Sequence, residues 1–293
     1  MGGGSWSTKC YASYSTSIGR SYNATTDSID CSLYNSAQDM YVSRSLDKAL
    51  NPYKVIRECC DSDEHKNTFP IILALDVTGS MGDTAMEVAK CLNKLMTQAY
   101  KSVKDVEFAV MGIGDLAYDN SPIQLSQFES DIRIAENLDK IYFEAGGGGN
   151  SYESYTAAWW AGLNQTKLDC WKRGKKGLII TLGDEYLNPY LPKRQLNAAV
   201  GSTVQSDVET KKLYEAVKDK YSIYHIVVEH GYQSQSYWNE CRDTFAEVIG
   251  KDNVFISKVN GVVDTLSKII AIESEANTST GSVLINENNE ISW

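Results

Sequence analysis

The stretch that decides the fold is FPIILALDVTGSMG at residues 69–82, in which a continuous apolar run ends at Asp76. A run with no alternating polar residues is typical of a strand that is buried on both faces of a sheet. Apolar residues then recur at helical spacing from Met81 to Val103, which predicts a helix directly after the strand. A buried strand followed by an amphipathic helix indicates an α/β architecture.

The same alternation of strand and helix continues from Phe69 to about Ser274. Helical apolar spacing recurs around residues 132–141, 152–163, 213–217, 245–249 and 262–270. Between these segments lie further predicted strands, at Val106–Gly112, Pro122–Leu125 (an edge strand because of its proline), Gly177–Leu182, Tyr221–Val228 and Val254–Ser257. The pattern predicts a doubly wound, mostly parallel six-stranded sheet with helices on both faces, a Rossmann-like α/β fold.

The segments on either side of this domain have a different character. Residues 1–68 are rich in Ser and Tyr and show no sustained periodicity, which predicts an irregular extension, with a helix near Ser43–Leu50, that drapes over the domain at residues 69–274. A partly disordered N-terminal tail is equally compatible with this composition. Residues 275–293 are acidic and poor in apolar residues until Val283–Ile285, which predicts a solvated tail or a loose edge strand.

Composition excludes several classes of function. The 293 residues carry a formal charge of −10, which disfavours nucleic-acid binding because that depends on contacts between Lys or Arg and phosphate. The longest apolar run, Ile71–Leu75, is too short for a membrane helix, and the opening residues lack the pattern of a secretory signal. The seven cysteines are odd in number and widely scattered. We therefore expect a reduced, cytoplasmic protein that does not bind membranes.

Carboxylates and hydroxyls collect where the buried strands end. Asp76, Thr78 and Ser80 alternate along one turn, so that their oxygens can point to one side, and Asp184 follows the strand predicted at residues 177–182. In an open α/β sheet, ligands bind beyond the carboxyl ends of the strands, where the strand order reverses. Oxygen donors without His or Cys favour Mg²⁺, with Mn²⁺ or Ca²⁺ as alternatives. The residues therefore predict a divalent cation site, although Asp76 alone would be read as a helix cap.

Two further loops lead to the same edge of the sheet. The glycine run at residues 146–149 is followed by Asn150 and Glu153, which bring another oxygen donor towards the cation. Asp115 follows the second predicted strand. Asp115 either orients a cation ligand without itself binding the cation, or is a solvated turn residue. The second interpretation is favoured.

The loop at residues 76–80 resembles a motif of a known family. The sequence Asp76-Val77-Thr78-Gly79-Ser80 resembles the Asp-x-Ser/Thr-x-Ser motif of von Willebrand factor A (vWA) domains, in which it forms the metal-ion-dependent adhesion site (MIDAS). The order of elements from Phe69 to about Ser274 is similar to that fold. The resemblance implies that Asp184 is the ligand after the fourth strand. The loop Asn150–Glu153 is similar to the Asp-x-Pro-Glu loop of integrin β and α-kinase-associated members, which implies Glu153 as the third-loop ligand and Asn150 as the alternative.

The resemblance also implies a function. In the family the cation keeps one position open, which an Asp or Glu of a partner protein fills, so that binding occurs without turnover. This chain is thus expected to be a metal-dependent interaction module and not an enzyme. Bacterial and phage cytosolic members often work beside MoxR-type AAA+ ATPases, which suggests such an ATPase as the partner.

Two alternatives remain open. The residues Asp76-Val77-Thr78-Gly79 also resemble the Asp-Lys-Thr-Gly motif of phosphoaspartyl transferases, and Gly183-Asp184 resembles their later acidic motif. Asp76 would then be a nucleophile and Mg²⁺ would neutralise the phosphoryl charge. In the other alternative the chain is a virion or assembly component, and its Tyr- and Ser-rich extension makes the contacts.

Overall fold

The computed structural model describes residues 4–144, 149–231 and 233–282. Its centre is a six-stranded sheet. The strands are β1 (Phe69–Asp76), β2 (Val106–Ile113), β3 (Ile123–Leu125), β4 (Gly177–Gly183), β5 (Tyr221–Glu229) and β6 (Val254–Lys258). Their order in the sheet is β3-β2-β1-β4-β5-β6. Neighbouring strands are parallel, except that the edge strand β3 runs antiparallel to β2. The prediction of a doubly wound, mostly parallel sheet is confirmed.

Helices cover both faces of this sheet because its central strands are apolar on both sides. In β1, Ile71, Leu73 and Leu75 face one layer of helices, and the alternate residues Ile72 and Ala74 face the other. The first layer consists of α1 (Thr8–Ser17), α2 (Ala37–Met40), α3 (Gly82–Lys90), α4 (Leu92–Ser102), α5 (Arg133–Asp139) and α10 (Val262–Ser282). The second consists of α6 (Thr156–Asn164), α7 (Lys193–Val200), α8 (Thr210–Val217) and α9 (Gln235–Ile249).

Three details differ from the sequence prediction. The helix expected from Met81 to Val103 is divided at Cys91, whose backbone (φ −102°, ψ 14°) separates α3 from α4. Both halves contact α10, which packs mainly against α4, and α3 also packs against α2. The helix predicted from Tyr152 begins at Thr156, because Tyr152–Glu153 form a short strand. The segment Ser43–Leu50 contains turns and bends and no helix.

The N-terminal extension shares the core of the sheet domain. Tyr11 and Tyr41 are buried, and their hydroxyls donate hydrogen bonds to the carbonyls of Ala89 and Ala85 in α3, both at 2.9 Å. Arg20 forms a buried ion pair with Asp139 of α5, with 2.7 Å between Nη1 and Oδ1. A short strand, Arg57–Cys59, pairs in parallel with Thr166–Leu168. The buried apolar residues between Tyr11 and Leu50 therefore pack with the first helix layer, whereas Cys59 is buried in the second layer.

The closing helix α10 extends to Ser282, beyond the boundary predicted at residue 274. The edge strand considered for Val283–Ile285 lies outside the described residues. Within the described ranges, no helix combines the length and the apolar character that crossing a bilayer would require.

Candidate functional site

The first loop of the site begins where β1 ends, at the buried residue Asp76. Its Oδ1 accepts hydrogen bonds from the Thr78 backbone N–H at 2.9 Å and from Thr78 Oγ1 at 2.5 Å. A 3₁₀ turn at Gly79–Met81 then leads into α3. The exposed Ser80 hydroxyl lies 3.4 Å from Thr78 Oγ1. The structure thus places Asp76, Thr78 and Ser80 next to one another in this loop.

A tyrosine that the sequence analysis did not identify holds the other oxygen of Asp76. Tyr155, fully buried at the start of α6, donates its hydroxyl to Asp76 Oδ2 at 2.8 Å and accepts the Glu185 backbone N–H at 3.2 Å. Its ring lies beside His225 and Phe245. Only glycine fits at position 183, because a side-chain carbon there would collide with the Tyr155 hydroxyl. Tyr155 therefore connects the loop after β1 to the loop after β4.

The loop after β4 supplies Asp184, which is also buried. Its Oδ2 lies 2.6 Å from Nε2 of His230, a residue just beyond β5 that the sequence analysis did not connect with the site. Its Oδ1 is buried and has no hydrogen-bond partner in the described part of the chain. The Asp184 carboxylate is thus held through one oxygen and leaves the other without a donor.

Glu153 approaches from the third loop. The strand Tyr152–Glu153 pairs in parallel with Tyr186–Leu187, which fixes this loop beside the one that carries Asp184. Glu153 is 5% exposed, and its Oε2 has no hydrogen-bond partner among the described residues. The glycine run before it lies outside the described residues, except for Gly149. Glu153 therefore brings a second buried oxygen without a donor to this region.

Asn150 and Asp115 contact each other. Asn150 is exposed, and its Nδ2 donates to Asp115 Oδ2 at 2.7 Å, while its Oδ1 accepts the Tyr152 N–H at 2.9 Å. Asp115 Oδ1 accepts the Ala117 N–H at 2.7 Å. Asp115 is buried, so it is not the solvated turn residue that the sequence favoured. The structure gives both side chains local roles in ordering the second and third loops.

Burial and neighbouring negative charge disfavour the ionisation of Asp76 and Glu153. Burial, together with the charge of Asp184, raises the pKa of Asp76 to about 7. Burial, followed by the charge of Asp76, raises the pKa of Glu153 to about 10. No Lys or Arg forms an ion pair with Asp76, Glu153 or Asp184 in the ranges described. The site thus concentrates acidic side chains, and among the described residues only His230 forms an ion pair with one of them, Asp184.

The donor set fits a hard cation in its chemistry. Asp184 Oδ1 and Glu153 Oε2 are buried oxygens that lack donors, and the hydroxyls of Thr78 and Ser80 lie at the same edge of the sheet. Among the described residues, no three Asp, Glu, His or Cys side chains lie close enough together to hold a metal ion by themselves. A cation here would therefore depend on hydroxyl oxygens and water in addition to the carboxylates.

Neither Tyr155 nor His230 has a recognisable signal in the sequence. Tyr155 lies among apolar helix residues, and His230 is one of three histidines without ligand spacing. The nearest hint is Gly183 at the end of a buried strand, because a glycine in that position often marks the close approach of another group.

No family model matches the sequence, and no curated protein matches it. Among solved structures, the pilus adhesin SpaC from Lactobacillus rhamnosus GG, in an open conformation, is similar over 74% of this chain and 31% of its own, with 11% identity and a TM-score of 0.47. A second structure of SpaC gives 13% identity over 74% and 32% of the two chains and a TM-score of 0.49.

The vWF domain of the type V pili tip protein Mfa5 from Porphyromonas gingivalis is also similar in structure. It shares 10% identity over 76% of this chain and 98% of its own length, with a TM-score of 0.44. The present chain spans about a third of the length of the SpaC structures. These similarities concern the arrangement of strands and helices alone.

Proposed function

We propose that this chain is a protein-interaction module that binds Mg²⁺ at the carboxyl edge of its sheet and uses it to recruit a carboxylate of a partner protein. Asp76, Thr78, Ser80, Asp184 and Glu153 would hold the cation, which would supply positive charge to an Asp or Glu of the partner. The observation that carries the proposal is the pair of buried carboxylate oxygens without donors, Asp184 Oδ1 and Glu153 Oε2, beside buried Asp76.

The residues of the chain have separate tasks in this proposal. Tyr155 and His230 each hold one oxygen of an aspartate, so that Asp76 and Asp184 are oriented before a cation arrives. The exposed Ser80 hydroxyl places the site at the surface, where a partner side chain has access. The hydroxyl of Thr78, which donates to Asp76, would have to turn its lone pairs towards a cation.

The compartment and the partner are also part of the proposal. All seven cysteines lie among the described residues and none of these forms a disulfide, which is consistent with the cytoplasm. An AAA+ ATPase as the partner rests only on the resemblance of the motif. The phosphoaspartyl alternative has less support, because both oxygens of Asp76 already accept hydrogen bonds. The assembly alternative remains a prediction without a specific structural observation in its favour.

Calorimetric titration with Mg²⁺ tests the cation site. The wild-type chain is expected to bind Mg²⁺, and Asp76→Ala and Asp184→Ala are expected to abolish binding. Asp219→Ala is the matched control, because Asp219 is an exposed aspartate that follows α8. Unaltered Mg²⁺ binding by both site variants would refute the proposal.

Affinity capture tests the interaction. Partner proteins captured from the native host in Mg²⁺ should be lost in EDTA and with Asp76→Ala, but kept with Asp219→Ala. Capture that persists in EDTA would contradict the proposed mechanism.

A further inference from the structure

The two edges of the central sheet differ in how they are covered. At the β3 edge, the Leu125 backbone N–H donates to the carbonyl of Leu50 in the N-terminal extension, at 2.8 Å. β6 forms the other edge, and in the described part of the chain no strand pairs with its outer side. The backbone N–H and C=O groups that an edge strand directs outward are a template for a further strand. β6 is therefore the open edge of this sheet.

β6 also lacks the side chains that usually keep an edge strand from pairing. Val254 and Ile256 pack on the α9 side of the sheet and Phe255 packs on the α10 side, and Phe255 and Ile256 are only partly buried. From Val254 to Ser257 the strand has no proline and no charged residue. Natural proteins protect open edges with prolines, with charges inside the strand or with a covering element. An edge without these devices is suited to association with another strand.

The topology does not favour a strand of the same chain at this position. The helices that lead outward to β5 and β6 lie in the second layer, whereas α10, which follows β6, lies in the first layer. A parallel strand placed outside β6 through α10 would complete a left-handed crossover, and such connections are almost always right-handed. The open edge therefore fits a strand of another chain.

The residues around β6 are complementary to themselves when the strand pairs with a second copy in the antiparallel direction. If Phe255 lies opposite Phe255 of the second copy, Val254 lies opposite Ile256, so that apolar side chains meet on each face of the joined sheet. In the same register Asp252, in the 3₁₀ turn before β6, comes beside Lys258 at the end of the second copy's strand. Two-fold symmetry repeats this pair at the other end of the interface.

The charged residues at the two ends of β6 are available for this pairing. Asp252 and Lys258 are both exposed, and neither forms an ion pair in the described ranges. Opposite charges that face each other across two strands are stabilising, and like charges are destabilising. Parallel pairing in register would place the two Lys258 side chains together. The charges therefore select the antiparallel arrangement.

The adjoining face of α10 adds an apolar side chain. Lys268 Nζ lies 5.4 Å from the centre of the Phe255 ring, which places this face of α10 beside the open edge. Ile272 follows one turn later on the same face and is 43% exposed. A second copy that extends the sheet would shield this side chain from water.

We propose that two copies of this chain associate by antiparallel pairing of their β6 strands, which joins the two six-stranded sheets into one. This inference goes beyond the proposed function and uses none of the proposed cation ligands. Because the two β6 strands run in opposite directions, the carboxyl edges of the two sheets point to opposite sides. The pair would therefore present its two candidate cation sites to two separate partners.

Sedimentation equilibrium of the full chain tests the inference. The wild type should approach twice the 32.5 kDa mass of one chain as its concentration rises, both in Mg²⁺ and in EDTA. Lys258→Asp and Asp252→Lys each place like charges together at both ends of the pair. Each variant should raise the Kd of self-association at least about tenfold, which corresponds to about 1.4 kcal/mol.

A mixture of the two variants provides the decisive sample. In a mixed pair, each Asp again faces a Lys at both ends, so the equimolar mixture should associate with a Kd close to that of the wild type. This recovery also shows that both variants are folded. Lys211→Asp and Asp219→Lys are the matched controls, because both residues are exposed on or just after α8, and they should leave the Kd unchanged.

Amide hydrogen exchange locates the interface. Exchange at β6 should slow as the concentration of the wild type rises, and exchange at β3 should not change. A chain that stays monomeric at every concentration would overturn the inference, and so would a mixture that associates no more tightly than either variant alone. Neither result affects Mg²⁺ binding, so the proposed function is tested separately by its own titration.

Discussion

Replacing Glu153 with Gln should make the metal-free protein more stable in alkaline solution. The pKa of Glu153 rises from 4.5 to about 10 because the side chain is buried beside other carboxylates. Between these values the folded chain retains a proton that the unfolded chain releases, so the contribution of Glu153 to stability falls as the pH rises. Glutamine has no proton to release, and the variant is spared this loss.

The magnitude follows from the pKa. From pH 4.5 to about pH 8 the loss amounts to ~1.36 kcal/mol per pH unit, or ~5 kcal/mol as an upper bound that local rearrangement will reduce. An amide in a partly unsatisfied site costs ~1–3 kcal/mol at every pH. We therefore expect the stability of Glu153→Gln relative to wild type to increase by at least ~2 kcal/mol between about pH 4.5 and about pH 8.

Urea unfolding in EDTA, followed by tryptophan fluorescence, measures this difference at the two pH values. Glu247→Gln is the control, because Glu247 is exposed on α9 and should shift stability by no more than ~0.5 kcal/mol. Mg²⁺ should also stabilise the wild type more than Glu153→Gln. A stability difference between variant and wild type that is the same at both pH values would refute the electrostatic reasoning.

Three other substitutions test the supports of the site and of the core. Gly183→Ala should destabilise the fold by ~2–4 kcal/mol in urea unfolding, because the new methyl group would collide with the Tyr155 hydroxyl. A variant as stable as the wild type would show that Tyr155 is not held beside position 183. His230→Ala should weaken Mg²⁺ binding by about tenfold in calorimetry and His230→Gln should weaken it less, whereas equal affinity for all three chains would exclude His230 from orienting Asp184. Arg20→Met should lower the free energy of unfolding by ~3–5 kcal/mol, because Asp139 remains buried without its ion-pair partner. The double variant Arg20→Met/Asp139→Leu should recover most of this stability, and no recovery would argue against the ion pair.

The sheet could be predicted from the sequence because each buried strand is a continuous apolar run that ends at a polar residue. β1 and β4 both show this pattern, and Asp76 and Asp184 follow from it. The division of the helix at Cys91 could not be predicted, because the apolar periodicity continues across it and only tertiary packing separates the two halves. The N-terminal extension has no periodic signal, because α1 buries only Tyr11 and Ser15, and Tyr41 follows the four-residue helix α2.

The candidate site was predictable only where a single loop contains its residues. Thr78 and Asp76 are two positions apart, and their contact is encoded locally. Tyr155 is 79 positions away from Asp76 and His230 is 46 positions away from Asp184, so these contacts arise only after the sheet has formed. The burial of Asp115 could not be predicted, because nothing in its neighbours in sequence reveals it.

The way the extension is built into the first helix layer has a practical consequence for work on this protein. In a recombinant fragment that starts at Phe69, α3 would lose its hydrogen bonds from Tyr11 and Tyr41. The Asp139 carboxylate would lose its ion pair with Arg20. Such a fragment would expose apolar surface of the first helix layer and should precipitate or be degraded. If the chain is an assembly component, loss of assembly after deletion of the extension would therefore report misfolding. Contacts made by the extension are better tested by single substitutions of its exposed side chains, such as Leu33 or Val42.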